Sequence, residues 1–80
     1  MNKDITIKVH IEEDDSTTTV RPVLDLMGDH FEAQGRARRY PFEEPKPVVG
    51  EELALARALN GLQMQVMEAA QDKIARYLSL

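Results

Sequence analysis

The chain contains no cysteine and no tryptophan. Without cysteine there are no disulfides and no thiolate metal sites, which fits a reducing, cytoplasmic setting. Phe31, Tyr40, Phe42 and Tyr77 are the only aromatics, and they limit the core that 80 residues can assemble. Nothing approaches the ~20 consecutive apolar residues of a membrane-spanning helix. Met1-Asn2-Lys3-Asp4 leads straight into alternating residues, with no secretory signal in view and no membrane partner expected. Positive charge is in deficit. A net charge of −4 argues against indiscriminate nucleic-acid binding but leaves room for a local basic patch.

Chemistry-bearing constellations are also missing. His10 and His30 stand a whole strand apart with no third ligand at metal spacing. Ser16 sits in an acidic segment, where it suits a turn better than nucleophilic attack. Residues 12–15 lack the alternating ligands and glycine of an EF-hand loop. Gly35-Arg36-Ala37 lacks the Gly-x-Gly spacing of a phosphate loop. Together these absences predict a protein that is not an enzyme, with no cofactor, no metal and no evident small-molecule substrate.

What is present is alternation. Ile5, Ile7, Val9 and Ile11 alternate with Thr6, Lys8 and His10, the pattern of a half-buried strand. The acidic run 12–16 reads as an exposed loop. A second alternation turns Val20, Pro22, Leu24 and Leu26 inward, and a turn follows at about residues 27–30. A third strand carries Phe31, Ala33, Gly35 and Ala37 inward, with Arg36, Arg38 and Tyr40 outward. Opposing Leu26 to Phe31 and Pro22 to Gly35 keeps both apolar sets on one side. Because Pro22 cannot donate a ladder hydrogen bond, a bulge or kink is expected there. In this register His10 faces Arg21 and Arg21 faces Arg36.

Pro41, Pro45 and Pro47 make residues 41–50 an extended connection. Glu51 and Glu52 then suit the positive end of a helix dipole, and good helix formers run to about Leu78. The expected architecture is one α+β domain over residues 1–80: a three-stranded antiparallel sheet with one long C-terminal helix across a face.

At 100° per residue, Leu55, Leu59, Leu62, Val66, Ala70 and Tyr77 form one helical stripe. Ala56, Met67 and Ile74 widen it, and Leu53, Met64 and Leu78 lie further round. This arc exceeds what a three-stranded sheet covers. It points to a homodimer that buries the second flank, supplemented by edge-strand pairing, with Leu53, Met64, Met67 and Leu78 as its contact residues. The opposed like charges of Arg21 and Arg36, with Lys8 and Arg38 nearby, call for an anionic partner. Two partners fit: RNA, with Tyr40 for stacking, or an acidic protein surface. Arg57 falls on the polar side of the helix, beside Glu51 and Glu52.

Residues 5–11, the acidic turn and residues 17–26 carry a resemblance, together with two more specific segments. These are Gly35-Arg36-Ala37-Arg38-Arg39-Tyr40-Pro41 and Gly50-Glu51-Glu52-Leu53-Ala54-Leu55-Ala56-Arg57-Ala58-Leu59. They resemble a family of small actinobacterial proteins of unknown function, some associated with hypoxia and dormancy, over about residues 5–74. The resemblance implies a strand-strand-strand-helix unit related to double-stranded-RNA-binding folds. It also implies a dimer similar in shape to ribosome hibernation factors, and a stress-response role at the ribosome. The chain departs from the family pattern at Tyr40-Pro41, where Asn-Pro is usual, and at Asn60-Gly61, where Ser-Asp is typical. Pro22 and Leu26 stand in place of a strand residue and a common Trp.

Overall fold

The computed structural model describes residues 1–38 and 46–79. Strands β1 (Lys8–Glu13), β2 (Thr17–Leu26), β3 (Asp29–Glu32) and β4 (Gly35–Arg38) precede the helix α1 (Pro47–Leu78). All pairings are antiparallel: β1 lies on one side of β2, and β3 and β4 share the other. The α+β architecture with a long C-terminal helix on the sheet is therefore as expected. Arg39, Tyr40, Pro41 and Pro45 lie outside the described residues.

The β1–β2 turn is organised by Asp14, whose Oδ1 accepts from the backbone N–H groups of Ser16 (2.8 Å) and Thr17 (2.7 Å). Those two bonds hold the Asp14 carboxyl below its ordinary range, the Ser16 bond being the larger cause. Past this turn, His10 pairs with Arg21 as the alternation requires.

The second hairpin differs from expectation. Its turn is only two residues, Met27 and Gly28, with φ of 48° and 89°. Positive φ at both positions is the type I′ arrangement, whose twist matches that of the flanking strands. The shorter turn shifts the pairing by two residues, so Leu24 opposes Phe31 and Thr19, not Arg21, opposes Arg36. β3 and β4 keep one common register against β2 and are interrupted only at Ala33 and Gln34. Pro22 explains the break. Ala33 N–H donates to the Pro22 carbonyl at 3.2 Å, but proline has no N–H to return. An interrupted strand in constant register replaces the expected bulge.

The helix begins at Pro47, earlier than Glu51, with proline at its first positions and no side-chain cap. A proline is well placed there because the first-turn N–H groups have no intrahelical partner. Residues 47–50 are thus helical rather than extended, and Glu51 and Glu52 fall beyond the first turn.

The core follows β2. One buried cluster joins Val20, Ala37, Ala54 and Ala58, with Leu53 and Leu55 against it. The other joins Leu24, Phe31 and Leu62, flanked by Leu26, Ala33, Val66 and Ala69. Of the expected stripe, Leu62 is buried and Leu55 and Val66 pack against the core, whereas Leu59 is more than one-third exposed and Ala70 and Tyr77 lie in solvent; Ala54 and Ala58, outside the stripe, complete the centre of the interface. Small residues prevail because the backbones approach so closely. A Cβ at Gly35 would meet the Ala54 carbonyl oxygen at 2.2 Å and the Ala58 nitrogen at 2.4 Å.

This seating draws the helix onto β4 and β2 and away from β1. β1 is exposed along its whole length, so the expected half-burial of Ile5, Ile7, Val9 and Ile11 does not occur. Val9 and Ile11 still share a sheet face with buried Pro22 and Val20, their cross-strand partners. The last turns of the helix, with Ile74, Tyr77 and Leu78, are exposed as well. No helix among the described residues is long and apolar enough to cross a membrane.

A candidate anion-binding edge

β4 forms one margin of the sheet, and an edge strand leaves backbone groups without ladder partners. Two helical side chains meet that need here. Arg57 Nη1 donates to the Arg36 carbonyl at 2.7 Å, and Gln65 Nε2 donates to the Glu32 carbonyl at 2.5 Å. Arg57 is thus tied to the sheet edge instead of pairing with Glu51 or Glu52. Sequence reasoning left it on the polar face because only the helix–sheet approach reveals which carbonyl it reaches.

Arg36 and Arg38 extend from β4 opposite Thr19 and Thr17. Together with Arg57 and Thr17 they line an open cleft, and none of these lining residues is acidic. Among the described residues Arg36 and Arg38 have no ion-pair partner. A planar guanidinium presents several N–H donors in a fixed fork, so Arg57 retains donors beyond the one spent on the carbonyl. The arrangement suits phosphate or carboxylate oxygens, to which arginine binds in two-pronged fashion.

The other expected members do not join this cleft. Arg21 Nη1 contacts Glu12 Oε1 at 3.1 Å, and its Nε donates to Gln34 Oε1 at 3.2 Å. The Arg21 hydrogen bond, then that of His10 at 3.0 Å, draws the Glu12 carboxyl below its ordinary value. Lys8 pairs with Val23 on the opposite margin. Strand geometry places it about 10 Å across and roughly 14 Å along the strands from Arg36. Tyr40 lies outside the described residues. The expected basic face is therefore an arginine edge, with Arg57 gained and Arg21 and Lys8 set apart.

At the far end of the sheet, His30 stands between two carboxylates. Its Nδ1 is 2.6 Å from Asp25 Oδ1 and its Nε2 2.9 Å from Glu32 Oε1. These bonds, Asp25 first, raise its pKa above the ordinary 6.5. No metal-binding group of His, Cys, Asp or Glu is found among the described residues.

Of the helical positions expected at a dimer contact, Met64, Met67 and Leu78 are exposed, whereas Leu53 is half-buried against the first core cluster. Met64 and Met67 share a shallow depression with Gln63, Glu68 and Gln71.

The fold has known counterparts. The uncharacterized protein Rv2632c of Mycobacterium tuberculosis is 36% identical over 74 residues, covering 92% of this chain and 80% of that protein. The uncharacterized protein Mb2665c of Mycobacterium bovis matches to the same extent. The crystal structure of Rv2632c superposes with a TM-score of 0.88 at 35% identity, covering 96% of this chain and 92% of that one. The Rv2632c-like family model matches residues 3–79, and the chain belongs to that family.

Proposed function

We propose that this chain is a non-enzymatic RNA-binding protein that grips the phosphate backbone through Arg36, Arg38 and Arg57. The observation that carries the reading is their convergence on one cleft with no acid among its described lining residues, in a chain of net charge −4. Three arginines gathered at one cleft repel one another, and an anionic ligand relieves that repulsion. The resemblance to hypoxia- and dormancy-associated proteins directs the reading towards the ribosome under stress, in the cytoplasm.

Phosphate contacts displace counterions, so binding weakens as salt rises. Three contacts to a single strand correspond to a slope of about −2 in log K against log salt. Co-sedimentation with ribosomes at low salt, lost on Arg36→Glu, is the expected result. Absence of binding at low salt, or binding indifferent to Arg36→Glu, refutes the reading.

A second reading rests on the exposed flank of Met64, Met67 and Leu78. Flexible methionines suit an adaptable protein contact, and an acidic partner surface would reach the arginine edge as well. A purified partner retained after nuclease treatment and released by Met67→Glu would favour this reading over RNA.

A further inference from the structure

Four hydroxyl residues in succession, Ser16, Thr17, Thr18 and Thr19, lead from the acidic turn into β2. Their surroundings differ. Ser16 is exposed on the turn, and its Oγ donates to Asp14 Oδ1 at 3.2 Å. Thr18 opposes Ala37 and is 9% exposed. Thr19 opposes Arg36 on one side but Glu12 on the other. Of the four, only Thr17 lines the arginine cleft, where it stands opposite Arg38.

We infer that Thr17 is a phosphorylation site whose phosphoryl group occupies the cleft of Arg36, Arg38 and Arg57 in place of an external anion. In an antiparallel pair, opposed Cβ atoms stand about 4.5–5.5 Å apart and diagonal neighbours about 7–8 Å, within reach of long side chains. A phosphate on Thr17 Oγ1 therefore meets Arg38 directly across and Arg36 on the diagonal, with Arg57 on the helix side. It brings a charge of about −1.5 to −2 and three acceptor oxygens, which match the donor forks of the guanidinium groups.

The acceptor hydroxyl is available. Among the described residues Thr17 Oγ1 contacts Ser16 Oγ at 3.4 Å and no carboxylate. Glu13 and Asp14 border Thr17 on the side of the turn, but Asp14 Oδ1 is engaged on the backbone N–H groups of Ser16 and Thr17. Arg36 and Arg38 have no ion pair among the described residues to give up. Thr17 is the first residue of β2 and Arg38 the last of β4. A kinase therefore needs only this corner to open, and element ends open at little cost.

The step transfers the terminal phosphoryl group of a nucleoside triphosphate to Thr17 through a serine/threonine kinase. The Oγ1–P bond forms, the bond to the nucleoside diphosphate leaving group breaks, and the hydroxyl proton passes to the catalytic base of the kinase. With the phosphate in place, the cleft is neutralised and no longer open to the phosphates of RNA. That exclusion rests on the RNA reading above, whereas occupation of the cleft does not.

The full chain with phosphothreonine genetically encoded at position 17 tests both parts, with phosphoserine at position 16 for comparison. Phosphorus NMR is expected to show the Thr17 phosphate titrating below its ordinary second pKa of about 6. Arg36→Gln and Arg38→Gln should each move that titration back up. The Ser16 phosphate, beside Asp14, should show no such lowering. Binding of single-stranded RNA at low salt should weaken more than about tenfold with the phosphate on Thr17, and less with it on Ser16. Mass spectrometry of the protein from its native cells, growing and starved, should find the phosphoryl group on Thr17. A Thr17 phosphate that titrates normally and ignores both arginine variants overturns the inference. So does RNA binding that is equal with and without this phosphate, or native protein that carries none at Thr17. A lowered titration in a chain whose unmodified form binds no RNA refutes the RNA reading alone and supports the phosphate as occupant of the cleft.

Discussion

Gly35 lies against the backbone of Ala54, with no room for a methyl group between them: an added Cβ would stand 2.2 Å from the Ala54 carbonyl oxygen. The opposing atoms belong to a helix backbone, so no side-chain tip can swing away. This contact sets the helix on β4 and brings Arg57 within reach of the Arg36 carbonyl. Gly35→Ala should therefore lower stability by roughly 1–3 kcal/mol, as overpacking does elsewhere. Gly61→Ala should do the opposite. The nearest atom to its added Cβ is the Ala33 Cβ at 3.4 Å, and helix propensity favours alanine by about 1 kcal/mol. Urea denaturation of the two variants should give shifts of opposite sign.

Leu62 is 3% exposed and joins Leu24 and Phe31 in the second core cluster. Leu62→Ala removes a side chain that both strands of the hairpin share. A loss of about 2–5 kcal/mol is expected, a large part of the roughly 5–15 kcal/mol that holds an ordinary domain together. Thermal unfolding followed by circular dichroism measures it. Leu59→Ala, at a position more than one-third exposed, should cost distinctly less.

The His30 cluster predicts a pH dependence of definite sign. Asp25 and Glu32 raise the folded-state pKa above the ordinary 6.5, so the folded chain holds the proton more tightly than the unfolded chain. The resulting stabilisation is complete below about pH 6.5 and is lost as pH rises through the raised value. Proton NMR should show His30 titrating above 6.5. Asp25→Asn, which removes the larger cause, should return it towards 6.5 and flatten this part of the stability profile.

Arg57 combines a structural bond with a charge, and Arg57→Gln separates them. The amide retains an N–H donor for the Arg36 carbonyl but loses the cation. Denaturant stability should change by no more than the ~0.5–1.5 kcal/mol of one hydrogen bond. The salt dependence of RNA binding should shrink by about 0.7 in slope for a single strand. An unchanged slope would remove Arg57 from the contact and leave Arg36 and Arg38 to carry it.

Alternation alone identified Val20, Pro22 and Leu24, and across the hairpin Phe31, Gly35 and Ala37, as residues facing the helix, and all six are buried. The period of two is a property of the extended backbone and needs no knowledge of partners. The site was legible only in part. Arg36 and Arg38 stood out as outward residues of a strand, but their neighbours depended on a turn. With two residues at Met27 and Gly28 rather than four, Arg36 came to oppose Thr19 instead of Arg21. Arg57 was missed because no local pattern marks a side chain that caps the carbonyl of a distant strand.

From the sequence by itself came the strand faces, the long helix and the segments that mark the family, because each depends on residues close together in the chain. Tertiary structure alone decided which part of the sheet the helix covers. The covering helix settles where Gly35, Ala54 and Ala58 permit backbones to touch, and that site lies on the β4 side. β1, whose alternation reads as half-buried, is left exposed as a consequence. Alternation says which side of a strand is apolar, but only the packed helix determines whether anything lies against it.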